Sequence, residues 1–102
     1  MAIRLEFLAK RWVHAHEEDS GEQLVYRPAG YPMGLSRNRD AIEFFGDGTV
    51  RREGIAPTDQ IAFSEGRWTV EEDGKTIHIL LEGRETLLDV HLLSIDLLII
   101  SK

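Results

Sequence analysis

Apolar and polar residues alternate over much of this chain, in runs too short for helices and with the period of two expected of strands. Residues 11–17 (RWVHAHE) make the first such run, and residues 23–27 (QLVYR) the second. Pro28 stops the second run, because proline has no N–H to donate to a strand ladder. Residues 66–72 (GRWTVEE) place Trp68 and Val70 on one face against Arg67, Thr69 and Glu71 on the other. Residues 76–82 (TIHILLE) put Ile77, Ile79 and Leu81 together, and residues 86–93 (TLLDVHLL) put Leu88, Val90 and Leu92 on the inward side. Residues 97–101 (LLIIS) make the last strand. The punctuation between runs is turn chemistry: Asp19-Ser20-Gly21, residues 56–59 (APTD), Asp73-Gly74, Gly83-Arg84-Glu85 and Ser94-Ile95-Asp96.

The clearest unit is residues 41–54 (AIEFFGDGTVRREG), which reads as a β-hairpin closed by Gly46-Asp47-Gly48. Gly48 can take the left-handed conformation that ends a three-residue loop. That loop pairs Phe45 with Thr49, Phe44 with Val50, Glu43 with Arg51 and Ile42 with Arg52. Ile42, Phe44, Val50 and Arg52 then share one face, and Glu43 and Arg51 form an ion pair on the other. A two-residue Asp47-Gly48 loop would mix polar and apolar positions, so the first register is expected.

Residues 1–10 fit neither period cleanly and predict a short lead-in segment, about one helical turn, packed against one end of the main body. Residues 29–39 (AGYPMGLSRNR) show no period and make the longest loop, a place where function often resides. No long helix, repeat or low-complexity tract interrupts the pattern. The expectation is a single domain, residues 1–102, folded as an all-β, eight-stranded antiparallel up-and-down barrel, since closure removes exposed sheet edges.

Composition narrows the functions. The chain has 102 residues, 42% hydrophobic and 29% charged, the balance of a water-soluble domain with one core. A formal charge of −6 with scattered basic residues argues against nucleic-acid binding, which needs a basic footprint. No apolar run approaches the roughly 20 residues that span a bilayer, and the first residues lack the apolar stretch of a secretory signal. A cytoplasmic location without membrane contact is therefore expected. Without cysteine there is no disulfide, thiolate nucleophile or Cys-ligated zinc.

The order of Trp12 on the first strand, Phe44-Phe45-Gly46-Asp47-Gly48, Gly66-Arg67-Trp68 and finally Leu93-Ser94-Ile95-Asp96-Leu97-Leu98 spans nearly the whole chain. It resembles the small bacterial lipocalin-like domains of the calycin superfamily. In those, a tryptophan strand precedes an F-x-x-D-G hairpin, a G-x-W strand and a closing L-S-x-D-x-L hairpin. This chain departs from true lipocalins in having Lys10-Arg11-Trp12 in place of glycine-x-tryptophan, in lacking a disulfide and in its short strands. The resemblance implies an up-and-down barrel more firmly than a ligand.

Candidate chemistry rests on few residues. His14 and His16, two apart on an expected strand, would project from the face that carries Trp12. They could supply two metal ligands, but neither His78 nor His91 is required to converge as a third, so no metal and no cofactor is assigned. Arg52, inward in the expected register, must be paired, wet, or hold the acid group of a ligand. Tyr26 and Arg27 alternate: Arg27 faces inward if Val25 does, Tyr26 if Leu24 does. Arg37-Asn38-Arg39 reads either as an anion-binding gate or as a solvated loop. Trp12, Phe44, Trp68 and Phe63 would line a cavity or fill the core. No serine lies in a nucleophile elbow, so no catalytic residue is assigned.

Three functional readings follow. The first is a barrel that binds a small apolar or amphipathic ligand, with Trp12, His14, His16, Arg27, Phe44, Arg52 and Trp68 as the candidate ligand-binding residues. The second is a filled barrel serving as an interaction or homodimerisation module, motivated by outward Leu80, Leu87, Leu93, Leu97 and Ile99. The third is a small isomerase- or cyclase-type enzyme using His14 and His16, with an interior carboxylate such as Asp89.

Overall fold

The computed structural model describes residues 3–32, 40–55 and 61–101. Eight strands close into an antiparallel barrel: β1 (Arg11–His14), β2 (Gln23–Pro28), β3 (Ala41–Phe44), β4 (Thr49–Ile55), β5 (Ile61–Val70), β6 (Thr76–Leu81), β7 (Arg84–Leu93) and β8 (Leu98–Ser101). From β3 to β8 each strand pairs with the next in the chain. The β1–β2 hairpin fills the remaining gap, with β1 against β3 and β2 against β8. β2 and β3 therefore flank β1 and run parallel to each other, and the expected loop of residues 29–39 lies on the connection between them. Its residues 33–39, Arg37-Asn38-Arg39 included, and the turn expected at residues 56–59 lie outside the described residues.

The central hairpin has the expected register, Ile42 opposite Arg52, Glu43 opposite Arg51 and Phe44 opposite Val50. Gly48 sits at φ +94° and donates its N–H to the Phe45 carbonyl, while the Phe45 N–H reaches the Thr49 carbonyl at 2.9 Å. The left-handed residue closing a three-residue loop is the reason this register wins. Glu43 and Arg51 do not form the expected ion pair. Arg51 turns to β5 instead, where its guanidinium stacks over the Phe63 ring at 4.5 Å and its Nε lies 3.8 Å from Glu65.

The lead-in segment forms one helical turn, α1 (Leu5–Leu8), and closes one end of the barrel. Leu8 is buried in the core and Ile3 packs against it, while the Ile3 N–H donates to the Gly74 carbonyl at the β5–β6 turn. At this end Trp12, Phe44, Trp68, Ile77, Ile79 and Val90 fill the interior. Both indole N–H groups are satisfied by backbone carbonyls: Trp12 Nε1 donates to Leu8 and Trp68 Nε1 to Phe45, each at 3.0 Å. The Trp68 ring meets Phe44 edge-on at 5.5 Å, a favoured aromatic arrangement.

Two expectations about facing residues are corrected. β1 ends at His14, and residues 16–18 form a short 3₁₀ turn, η1 (His16–Glu18), so His16 does not share a strand face with Trp12 and His14. In β7 the pairing with β8 slips between Val90 and Leu92: Val90 faces Ile100, but Leu92 faces Ile99 and Leu93 faces Leu98. This bulge reverses the alternation, so Leu93 packs on the core and Leu92 is exposed. Leu93 is thus not part of an outward apolar face.

Candidate ligand-binding site

Strand alternation decides what reaches the barrel interior at the end opposite α1. Tyr26 pairs with Leu98 and Leu24 with Ile100, both core positions, so Leu24 and Tyr26 face inward and Arg27 outward. On β4 Arg52 pairs with inward Ile42, and on β5 Ser64 pairs with Arg52. On β7 Thr86 pairs with inward Ile79 and Leu88 with inward Ile77. The result is an apolar cavity of about 200 Å³ lined chiefly by Leu24, Tyr26, Ile42, Leu88, Leu98 and Ile100, with Arg52 and Thr86 as polar groups in its wall.

Arg52 and Thr86 also line a second, polar hollow of about 530 Å³, completed by Ser64, Leu81, Glu82 and Arg84. The two spaces share these residues, so the site is an apolar pocket adjoining a polar vestibule. Arg84 belongs to it because it pairs with Leu81 across the tight turn at Glu82-Gly83 and so falls on the inward face at the rim. Among the described residues Arg52 makes no ion pair or hydrogen bond, and its side chain is solvent-exposed at the mouth. Burial pushes the Tyr26 phenol above its ordinary value, the dominant influence, while the charge of Arg52 acts in the opposite direction. Tyr26 is therefore a neutral hydroxyl within electrostatic reach of the Arg52 guanidinium.

Of the seven residues expected at the site, Arg52 lies in it. Trp12, Phe44 and Trp68 are core packing at the α1 end, with at most 7% of their surface exposed. Arg27 is committed on the outside: its guanidinium makes a two-pronged bond to Glu18 at 2.7 and 2.8 Å and stacks over Tyr31. His14 Nε2 lies 2.9 Å from the Asp19 carboxylate, which also accepts the Val25 N–H, and its ring lies against Tyr26. His16 is exposed on η1, its ring edge-on to His14 at 6.2 Å. Among the described residues no group of three His, Asp or Glu side chains could hold a metal ion.

No known protein family, curated protein or solved structure matches this chain. The site therefore has to be read from its own chemistry. Leu24, Leu88, Thr86, Ile100 and Arg84 were not singled out by the sequence as site residues. The alternation of residues 86–93 carried the signal for Leu88 and, two positions earlier on the same face, Thr86. Arg84 was hidden because it read as a turn residue. Among the described residues no helix is long and apolar enough to cross a membrane.

Proposed function

We propose that the protein is a lipocalin-like binding barrel for a small amphipathic acid, with the apolar part in the cavity and the acid group at Arg52. One observation carries this reading: a guanidinium on the inward face, at the junction of an apolar pocket and a polar hollow, with no carboxylate partner among the described residues. Such a group meets a carboxylate or phosphate through two parallel charge-assisted hydrogen bonds. An apolar pocket with a few convergent polar groups is the usual form of a small-molecule site. An eight-stranded barrel is wide enough to hold one small ligand where side chains do not fill it. The placement of His14 and His16 favours binding over an acid/base reaction, since neither ring lines the cavity. The test is calorimetric titration of the purified chain with hexanoate and with hexyl phosphate. Saturable binding that Arg52→Gln abolishes supports the reading, and binding indifferent to Arg52, or failure of both hexanoate and hexyl phosphate to bind, refutes it.

A second reading has its own observation. Phe63, Leu80 and Leu87 are 49%, 41% and 63% exposed on the outer faces of the neighbouring strands β5, β6 and β7. A face of this kind suits a homodimer contact. Sedimentation across a range of concentrations checks it, a constant monomer mass counting against it.

A further inference from the structure

Resting on the binding reading above, we infer that the ligand is a short-tailed phosphate monoester, whose phosphate sits in the vestibule facing both Arg52 and Arg84. The proportions of the site come first. A pocket of about 200 Å³ holds about six groups of methylene size if each takes about 30 Å³, the volume of a water in the liquid. The polar hollow outside it is larger, about 530 Å³. These proportions suit a ligand with a short apolar tail and leave room outside the pocket for a head larger than a carboxylate.

The chemistry of the hollow points the same way. Arg4, Arg11, Arg27 and Arg51 each face a carboxylate, whereas Arg52, Arg67 and Arg84 make no ion pair or hydrogen bond among the described residues, and of these Arg52 and Arg84 share one lining. Two guanidiniums on one rim without a partner among the described residues are notable in a chain of formal charge −6. One guanidinium satisfies a carboxylate bidentately. A phosphate monoester carries a charge of about −1.5 to −2 at neutral pH and three acceptor oxygens, which suits two guanidiniums together with the hydroxyls of Ser64 and Thr86. The Glu82 carboxylate on the same lining opposes an anion, so it sets a limit on affinity rather than creating it.

Calorimetry on the full chain with hexyl phosphate, hexanoate, dodecyl phosphate and inorganic phosphate tests the inference. Hexyl phosphate is expected to bind about tenfold tighter than hexanoate, the worth of an added charge-assisted contact. Dodecyl phosphate is expected to bind no tighter than hexyl phosphate, and inorganic phosphate much more weakly. Arg84→Gln should erase the preference for phosphate by weakening hexyl phosphate about tenfold more than hexanoate, and Glu82→Gln should tighten hexyl phosphate. Equal binding of hexanoate and hexyl phosphate, a preference that survives Arg84→Gln, or affinity that climbs through dodecyl phosphate overturns the inference while leaving the binding barrel standing. Failure of every amphiphile to bind overturns both.

Discussion

A Cβ built on Gly66 would stand 1.8 Å from the backbone carbonyl oxygen of Leu80 on the neighbouring strand. The obstacle is backbone and cannot swing away. Gly66 is also where β5 passes from one partner to the next, pairing with Val50 on β4 and Leu81 on β6. The bare glycine lets the barrel wall bend there. Gly66→Ala is expected to cost on the order of 3 kcal/mol, the scale of core disruption, read as a lowered urea midpoint. An unchanged midpoint would mean that β5 runs farther from β6.

The β6–β7 turn places two successive residues at positive φ, Glu82 at +48° and Gly83 at +80°. A two-residue hairpin loop of this type favours Asn-Gly, because a larger side chain is crowded in the left-handed region. Glu82→Asn should stabilise the fold by about 0.5–1 kcal/mol. Thermal denaturation without ligand checks it, and a lowered melting temperature would contradict the turn geometry.

Two hairpin aspartates should make the fold acid-sensitive. Asp47 accepts the N–H and hydroxyl of Thr49, and Asp73 accepts the N–H groups of Lys75 and Thr76 and the hydroxyl of Thr76. Side-chain hydrogen bonding, foremost, holds both carboxyls below their ordinary value of 3.8. A lowered folded-state value means that the unfolded chain takes up protons first. The stabilisation is therefore complete well above pH 3.8 and is lost as pH falls past it through the lower folded-state values. Urea midpoints should drop across that window, and the double variant Asp47→Asn, Asp73→Asn should flatten the drop.

Trp12 ties the lid to the barrel, since its ring is fully buried and its N–H bonds to the carbonyl of Leu8 in α1. Trp12→Phe removes that bond and leaves a void, for an expected loss of about 2 kcal/mol. Hydrogen exchange at Ala9, whose N–H bonds to the Leu5 carbonyl, should quicken in this variant more than exchange in β6.

Arg52 is expected to contribute nothing to the stability of the empty barrel. Arg52→Gln should leave the unfolding free energy from urea titration within about 0.5 kcal/mol of the parent, as for surface changes generally, while losing anion binding. A large destabilisation would give Arg52 a structural role in place of a binding one.

Where local chemistry decides structure, the fold was legible in the residues themselves. Gly48 set the register of the central hairpin, and the alternation around Ile77 and Ile79 set the faces of β6. Leu92 and Leu93 exchange their expected faces because a bulge leaves no mark in a run where both neighbours are leucine. His16 departs from the expected face because the sequence alternation continues past the point where β1 leaves the sheet. The start of β5 at Ile61, five residues before the expected Gly66, was hidden because Phe63 breaks the pattern as an exposed ring stacked on Arg51. At the site, Arg52 was found because its partner Ile42 is near in sequence. Arg84 was not, because its role depends on which strands border the same mouth. Tyr26 and Arg27 could be separated only by the pairing of β2 with β8, residues more than seventy positions apart.

That pairing makes the β1–β2 hairpin a clasp. Strands β3 to β8 are a meander of local contacts, quick to form, whereas both seams of the clasp require distant partners and a larger loss of chain freedom. Docking of β1 and β2 is thus expected to be the late event in folding. Until it happens, β3 and β8 stand as two open edges able to pair with another molecule. The same event gathers Leu24 and Tyr26 beside Ile42, Leu98 and Ile100, so the pocket comes into being only as the last edges disappear.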